Sequence, residues 1–448
     1  MLKRYIYSEL ERWKEKKHRK PLILRGARQV GKTTLIKMFS ETYLKNIILN
    51  LENSKDRAFF KKTDNIKEIV ESIFFSHNIE PDNQTVLLFI DEIQESPEAI
   101  RLLRYFYEEY PQIHVIAAGS LLEFALKDVR SFPVGRVEYL YLYPFNFIEF
   151  LGAIKHNQAL KQIEQIPIND FAHQTLLELF NQYVIVGGMP EVVKVYAENK
   201  SMLNLPDIYE SLWSSYQDDV EKYARNDTGK KVIEHIIKTA AISIDKRIKF
   251  QGFGNSNYRS REVGEALRSL DSAQIIQLIY PVTVTEPPLQ ADLKKSPRLQ
   301  FLDTGLLNYA LDIQADMIGV QDLNDTYKGA IIPHMVTQEL IALNYKKRQK
   351  PHFWVREKLQ AASEVDIVIN YKNLIIPIEI KSGSSGSLKS LHQFINRSKH
   401  NYAVRIYAGE FRIEENKTPE GKSYFLMNLP YFLSSKIEEH IEYLINNF

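Results

Sequence analysis

Residues Gly26-Ala27-Arg28-Gln29-Val30-Gly31-Lys32-Thr33 constrain this chain more than any other stretch. They follow the apolar run Pro21-Leu22-Ile23-Leu24 and lead into Thr34-Leu35-Ile36-Lys37-Met38-Phe39. That pattern predicts strand, glycine loop and helix. The spacing fits G-x-x-x-x-G-K-[ST], a phosphate-binding loop. Gly26 and Gly31 permit a tight turn that brings backbone N–H groups onto phosphate oxygens. The helix that follows aims its partly positive N-terminus at the same anion. Residues Gly26 to Thr34 are therefore expected to bind a nucleotide. Lys32 is placed to reach the β- and γ-phosphates and the Thr33 hydroxyl to ligate Mg²⁺. The competing reading is a chance glycine turn before a helix, which requires neither the flanking strand nor the Lys-Thr pair.

A second stretch fits the first. Val86-Leu87-Leu88-Phe89-Ile90-Asp91-Glu92 is a continuous apolar run that ends in two acids. Such a run suits a strand covered on both faces. Asp91 at its end is placed for the Mg²⁺ shell, and Glu92 for orienting and deprotonating an attacking water. Around these, residues 2–16 read as an amphipathic helix, Asn46 to Leu51 as a buried strand and residues 54–78 as helical. A further strand, Ile113 to Ala118, ends at Gly119-Ser120. Ser120 there either senses the γ-phosphate or attacking water, or only caps the next helix. Pro133-Val134-Gly135-Arg136 precedes an alternating strand, Val137 to Tyr143. Arg136 is either an arginine finger reaching the γ-phosphate of a neighbouring subunit or a surface salt-bridging residue. Residues 1–150 thus read as a nucleotide hydrolase core with ATP and Mg²⁺ as cofactors. The adjacent acids favour water over a substrate hydroxyl as acceptor.

The rest of the chain has room for more. At 448 residues, length alone suggests roughly three domains. The net charge is only +2, so a nucleic-acid role has to rest on local patches. The absence of cysteine excludes disulfides, zinc–cysteine sites and a thiol nucleophile, and fits a cytoplasmic protein. Met1 to Ile6 has no signal-peptide apolar core, and the longest apolar runs, such as Leu374 to Ile380, are too short to span a bilayer. No membrane partner is expected.

Residues 151–205 look mostly helical apart from a Gly187-Gly188 turn, which suggests a helical lid. Residues 206–245 continue as helices. Arg259-Ser260-Arg261 then opens a helix with Val263, Ala266, Leu267 and Leu270 on one face. Ala273 to Val284 reads as a strand, Pro287-Pro288 as a turn and Arg298 to Leu302 as a returning strand. Helices followed by a hairpin suggest a winged-helix-like module over 206–318. Arg259, Arg261 and Arg268 either face DNA phosphates, form a solvated helix end, or pair with acids of another domain.

Residues 319–448 carry a different constellation. A helix over 328–345 holds Glu339 among apolar positions. Two strands follow, Glu364-Val365-Asp366-Ile367-Val368-Ile369 and Leu374 to Lys381, close enough in sequence to form a hairpin. The strand period of two puts Glu379 and Lys381 on one face, with Asp366 opposite on the adjacent strand. Asp366, Glu379 and a backbone carbonyl would give an all-oxygen metal site, and Lys381 would position or activate a water. Asp, a gap, then Glu-x-Lys on strands after a helix is similar to the PD-(D/E)XK nuclease core, with Glu339 as a candidate helix-borne acid. The alternative is an exposed strand face with a Glu–Lys pair.

The motifs together resemble prokaryotic AAA-type ATPases that carry a C-terminal domain of unknown function. The resemblance rests on Leu24 to Leu35, Leu49 to Asn53, Leu88 to Gln94, Gly119-Ser120, Gly135-Arg136 and Leu142-Tyr143-Pro144-Phe145. It continues at Gly187-Gly188-Met189-Pro190-Glu191 and Phe301-Leu302-Asp303-Thr304-Gly305-Leu306. It implies ATP binding and a parallel-sheet core, and no known substrate. Two positions stand out against it. Tyr216-Gln217-Asp218-Asp219-Val220 falls where the related ATPases carry a tyrosine followed by an acidic pair. Pro333 stands where they usually place an acid.

The expected architecture is α/β: a P-loop AAA-type ATPase core, a helical lid, a winged-helix-like middle module and a C-terminal PD-(D/E)XK nuclease-like domain. The expected function is an ATP-hydrolysing enzyme directed at DNA. The alternative is a nucleotide-dependent switch or scaffold that binds a protein partner, its nuclease-like domain inactive. A homo-oligomer is compatible with either.

Overall fold

A computed structural model describes residues 4–80, 85–120, 122, 135–224, 226–244, 246–320, 323, 329–356, 363–381 and 388–448. Pro133-Val134, residue 328 and the residues just after Lys381 lie outside the described residues.

The first segment builds a parallel sheet. Its strands are β1 (Leu22–Arg25), β2 (Lys45–Asn50), β3 (Val86–Asp91), β4 (Ile113–Gly119) and β5 (Glu138–Tyr141), in the order β2-β3-β4-β1-β5. All neighbours run parallel. The apolar runs of β3 and β4 are buried at every position, as strands covered on both faces must be. β2 departs from the buried strand expected there: it lies at the sheet edge, and Asn46 and Asn50 are exposed. Because the strands are parallel, the residues that follow β1, β3 and β4 gather at one edge of the sheet. That edge is where open α/β sheets bind ligands.

Helices cover both faces. They are α1 (Tyr7–Glu15), α2 (Lys32–Ser40), α3 (Ser54–Ala58), α4 (Ile66–Ser76) and α5 (Pro97–Glu109). The single helix expected over 54–78 is split in two. Asn53 and Asn65 each accept a backbone N–H two residues on, so each starts its own helix.

Next come α6 (Phe147–Ala153), α7 (Asn157–Ile163), α8 (His173–Val186), α9 (Pro190–Asn199), α10 (Leu205–Asp218), α11 (Val220–Tyr223), α12 (Asp227–Thr239) and α13 (Ser260–Ser272). Asn146 and Glu149 close a reciprocal capping box at the start of α6. The turn after α8 is clasped from two sides. Phe145 N donates to Gly188 O at 2.7 Å. Gly188 N donates to Asp303 Oδ2 at 2.6 Å, and Asp303 also caps α14 (Thr304–Ala310). A Cβ on Gly188 would stand 2.2 Å from the Phe145 carbonyl oxygen. Gly188→Ala should therefore destabilise the protein by about 1–3 kcal/mol, read as a lower midpoint in chemical unfolding.

The strand expected over Ala273 to Val284 is broken. β6 (Ile276–Ile279) pairs antiparallel with β8 (Arg298–Phe301), whereas β7 (Pro281–Val282) joins a second sheet, parallel to β9 (His352–Val355). Pro281 has no N–H for the β6 ladder, so it opens a new strand instead. The second sheet has the order β13-β14-β12-β11-β10-β9-β7. Its other strands are β10 (Glu364–Tyr371), β11 (Leu374–Ile380), β12 (Tyr402–Tyr407), β13 (Arg412–Lys417) and β14 (Ser423–Pro430). The helix expected over 328–345 spans Ile331–Ala342 (α15), and α16 (Lys389–Ile395) and α17 (Ile437–Asn447) complete the layer.

The segments do not each keep a private core. One apolar cluster runs from Ile6 to Leu444 through residues of every segment, and a second, with Ile23, Ile90, Val115 and Phe106, covers the other face of the first sheet. The helices over 151–205 pack on the C-terminal segment: Tyr183 on α8 donates to Glu339 on α15, and His173 bonds the Ala408 carbonyl.

Candidate active site

Three strand ends converge at one edge of the first sheet. After β1 the chain turns through Gly26 and Gly31. A Cβ on Gly26 would lie 2.3 Å from the Leu142 carbonyl, and Gly31 has φ +92°, which disfavours a side chain. Lys32, buried at the start of α2, donates to the carbonyls of Gly26 at 3.1 Å and Ala27 at 2.8 Å. Burial lowers its pKa to about 8, against the opposing charges of Glu92 and Asp91. The loop thus keeps a desolvated cation among backbone groups, an arrangement suited to a polyphosphate.

The Thr33 hydroxyl donates to Asp91 Oδ2 at 2.6 Å, bringing the loop and the end of β3 together. Burial raises the Asp91 pKa, and the Thr33 hydrogen bond opposes that shift. These two hard oxygen donors fit a divalent cation that keeps part of its water shell. Glu92 follows with φ +49°, an unusual conformation for a residue with a side chain. Its N–H donates to Asp91 Oδ1 at 3.1 Å, and its Oε2 accepts from Gln94 Nε2 at 2.6 Å. Gln94 escaped the sequence reading as a functional residue. Its signal was its place two residues beyond Glu92, on the short turn Ile93–Glu95. Ser120 follows β4 at this same edge.

Arg136 is elsewhere. It precedes β5, at the opposite edge of the sheet, and its Nε donates to Glu108 Oε1 at 2.9 Å. Within this chain it takes the salt-bridge alternative.

The loop is also held from outside the core. The Tyr216 hydroxyl donates to the Arg28 carbonyl at 2.8 Å, and Gln29 Nε2 to Ser215 Oγ at 3.4 Å. The Arg28 guanidinium pairs with Asp219. The tyrosine-and-acid stretch that had no chemical role in the sequence therefore grips the phosphate loop.

The C-terminal acids are brought together in part. β10 and β11 are an antiparallel hairpin with Ile367 opposite Ile378, so the next step of the register sets Asp366 against Glu379. Asp366 Oδ2 accepts from Ile380 N at 2.9 Å, and Lys381 Nζ lies 2.7 Å from Glu379 Oε1. Glu379 is buried and its pKa is raised, by burial first and then by the charge of Asp366. Arg298, from β8, donates to the Asp366 carbonyl at 3.1 Å and pairs with Glu364.

Glu339 is not part of this group. Its carboxylate accepts from Phe147 N at 3.1 and 3.2 Å and from the Tyr183 hydroxyl at 2.7 Å. The α15 residues that line the cavity beside Asp366 are Pro333, His334 and Thr337. Glu339 lies two residues past Thr337, about 200° further round the helix. Position 333, not 339, faces Asp366. Among the described residues no group of three His, Cys, Asp or Glu side chains is arranged to hold a metal. Of the three arginines of the middle module, Arg261 pairs with Glu265 one turn along α13 and Arg259 opens that helix.

The loop, the buried acidic strand end and the parallel order define a P-loop AAA-type ATPase core. Comparison with known proteins agrees. Residues 18–151 match the family profile described as an AAA domain. Residues 177–317 and 328–431 match two domains of unknown function, DUF8612 and DUF4143. No curated protein matches the chain. Among solved structures, a Walker-type ATPase of Pyrococcus abyssi is 16% identical, with 69% of this chain and 96% of that chain covered and a TM-score of 0.45. The Orc1 protein of Aeropyrum pernix in complex with DNA is 12% identical, covering 69% of this chain and 92% of that chain, with a TM-score of 0.29. PCH-2 of C. elegans is 14% identical, covering 44% and 61%, with a TM-score of 0.25. Likeness at this level carries no functional argument. Among the described residues no helix is long and apolar enough to cross a membrane.

Proposed function

We propose that this chain is a Mg²⁺-dependent ATP hydrolase of the cytoplasm, divided into an ATPase core (1–150), a helical lid (151–205), a winged-helix-like module (206–318) and a nuclease-like domain (319–448). The observation that carries the reading is the 2.6 Å contact between Thr33 and Asp91, with Glu92 next in the chain and held by Gln94. Gly26 to Thr34 bind the phosphates, Lys32 neutralises their charge, and Thr33 and Asp91 hold the metal. Glu92 takes a proton from the attacking water, and Ser120 stands at the γ-phosphate side. The metal supplies charge neutralisation at the transferring phosphoryl group.

Two readings of the coupled activity remain distinct. The pairing of Asp366 with Glu379 beside Lys381 supports a nuclease-like site, and with it a DNA-directed enzyme. A second observation favours a nucleotide-dependent switch that binds a protein partner through a retired nuclease-like domain. Glu339 is bound by Phe147 and Tyr183, and the α15 face that lines the cavity beside Asp366 carries Pro333, His334 and Thr337 but no acid. The switch reading is the better supported. It predicts no cleavage of linear, single-stranded or branched DNA with Mg²⁺ or Mn²⁺, with or without ATP, while ATP turnover stays intact. Cutting by the wild type that is lost in both Asp366→Ala and Glu379→Ala would reinstate the nuclease. DNA-stimulated ATP turnover that falls steeply with salt would reinstate DNA as partner.

A further inference from the structure

Arg28 has one chemical property that its place in a phosphate loop does not require: a charged side chain. Any residue supplies the backbone N–H there, but this one carries a guanidinium built into a fixed mount. Its partner, Asp219, has a side chain only 6% exposed, whereas Arg28 is 38% exposed. Asp219 also lies 3.1 Å from Lys222 Nζ. A buried carboxylate held by two cations is an anchor, not a solvated surface partner. The Arg28 backbone is fixed separately, its carbonyl accepting from the Tyr216 hydroxyl at 2.8 Å. Tyr216 is itself buried to 1% exposure. A guanidinium has five N–H donors in a rigid fork, so one edge can be anchored while another is presented to an oxyanion. The charge belongs to the site by position, because Arg28 sits inside the phosphate loop, between Gly26 and Lys32. Arg136, a finger candidate toward a neighbouring subunit, stands away from this chain's own loop.

We propose that Arg28 is a catalytic residue, an arginine finger in cis that stabilises the γ-phosphoryl charge of the transition state, oriented by Asp219 and Tyr216 as positioning residues. The assignment rests on the ATPase reading above. In the reaction water attacks the γ-phosphorus, the bond to the β–γ bridging oxygen breaks, and the water proton passes to Glu92. Arg28 bonds the transferring oxygens and exchanges no proton. Because Asp219 lies between α10 and α11, movement of the middle module would withdraw or present this charge.

The test is steady-state ATP hydrolysis by the full chain with Mg²⁺, alongside titration of a fluorescent ADP analogue. Arg28→Ala is expected to lower kcat at least 100-fold and to leave ADP affinity within threefold, since the finger acts on charge that develops in the transition state. Asp219→Asn should lower kcat about tenfold with KM little changed, and Asp219→Glu should recover part of the loss. Arg28→Lys, which keeps the charge but not the fork, guards against a folding defect in the alanine variant and should retain under a tenth of wild-type kcat. Turnover of Arg28→Ala within threefold of wild type would overturn the assignment. So would an equal loss of ADP affinity, the mark of a merely structural loop residue. Wild type without turnover would instead sink the ATPase reading, and the assignment with it.

Discussion

Replacing Glu92 by Gln is expected to lower ATP turnover about 10³-fold while leaving ATP binding nearly unchanged. The substitution keeps the shape and removes only the base. Gln94 still has an amide oxygen to meet at position 92, and neither the loop nor the Thr33–Asp91 contact is touched. The loss should therefore appear in kcat, with KM and the dissociation constant for ATP within a few-fold of wild type. Glu92→Gly serves as a control for the backbone. Position 92 holds φ +49°, so glycine relieves strain there and stability should hold or rise while turnover falls as far as in Glu92→Gln. A turnover rate unchanged in Glu92→Gln would remove the residue from the mechanism.

The second large effect concerns stability and pH. Glu339 is fully buried, and burial, opposed by the hydrogen bond from Tyr183, raises its pKa from 4.5 to about 7. A carboxyl whose folded pKa exceeds its unfolded value binds its proton more tightly in the folded state. The stability it contributes is complete below the unfolded value, and is lost as pH rises through the folded value. Between pH 4.5 and 7 that loss is on the order of 3 kcal/mol. Glu339→Gln keeps an oxygen to accept from Tyr183 and Phe147 and carries no charge to desolvate. The variant should match wild type near pH 4.5 and exceed it in unfolding free energy at pH 8. Asp303, raised to about 6 mainly by burial, contributes the same sign in both proteins and cancels in the difference. Equal pH slopes for wild type and Glu339→Gln would overturn the prediction. The same experiment bears on function, because ATP turnover unchanged in Glu339→Gln is expected of a residue that ties α15 to α6 and α8.

Several functional features were legible because they are local. The run from Gly26 to Thr34 dictates its own backbone turn, the helix that follows and the cation within it. Val86 to Asp91 declares a strand buried on both faces and places Asp91 at its end. The Asp366 and Glu379 strands, separated by a turn at Lys372-Asn373, declare their hairpin and hence their register. Other features were illegible because they depend on which distant surfaces meet. Arg136 reads either as a finger toward a neighbouring subunit or as a surface salt bridge, and the parallel order sets it away from this chain's own loop, paired with Glu108. Glu339 reads as a metal ligand from its helix, yet a rotation of two residues turns it to the middle helices. Tyr216 of α10 and Asp219 just beyond it carry no local motif, and their partner Arg28 lies 188 and 191 residues earlier in the chain.

The sequence by itself determined the phosphate loop, the acidic strand end and the alternation that pairs the C-terminal acids, since each follows from spacing along one or two adjacent segments. Only the tertiary structure decided that β4 stands between β1 and β3, that Gln94 holds Glu92, and that Asp219 holds Arg28. It also decided that Pro333, and not Glu339, faces Asp366. These are contacts between segments far apart in the chain. They are set by packing of a shared core, to which helix and strand periodicities assign a face but no partner.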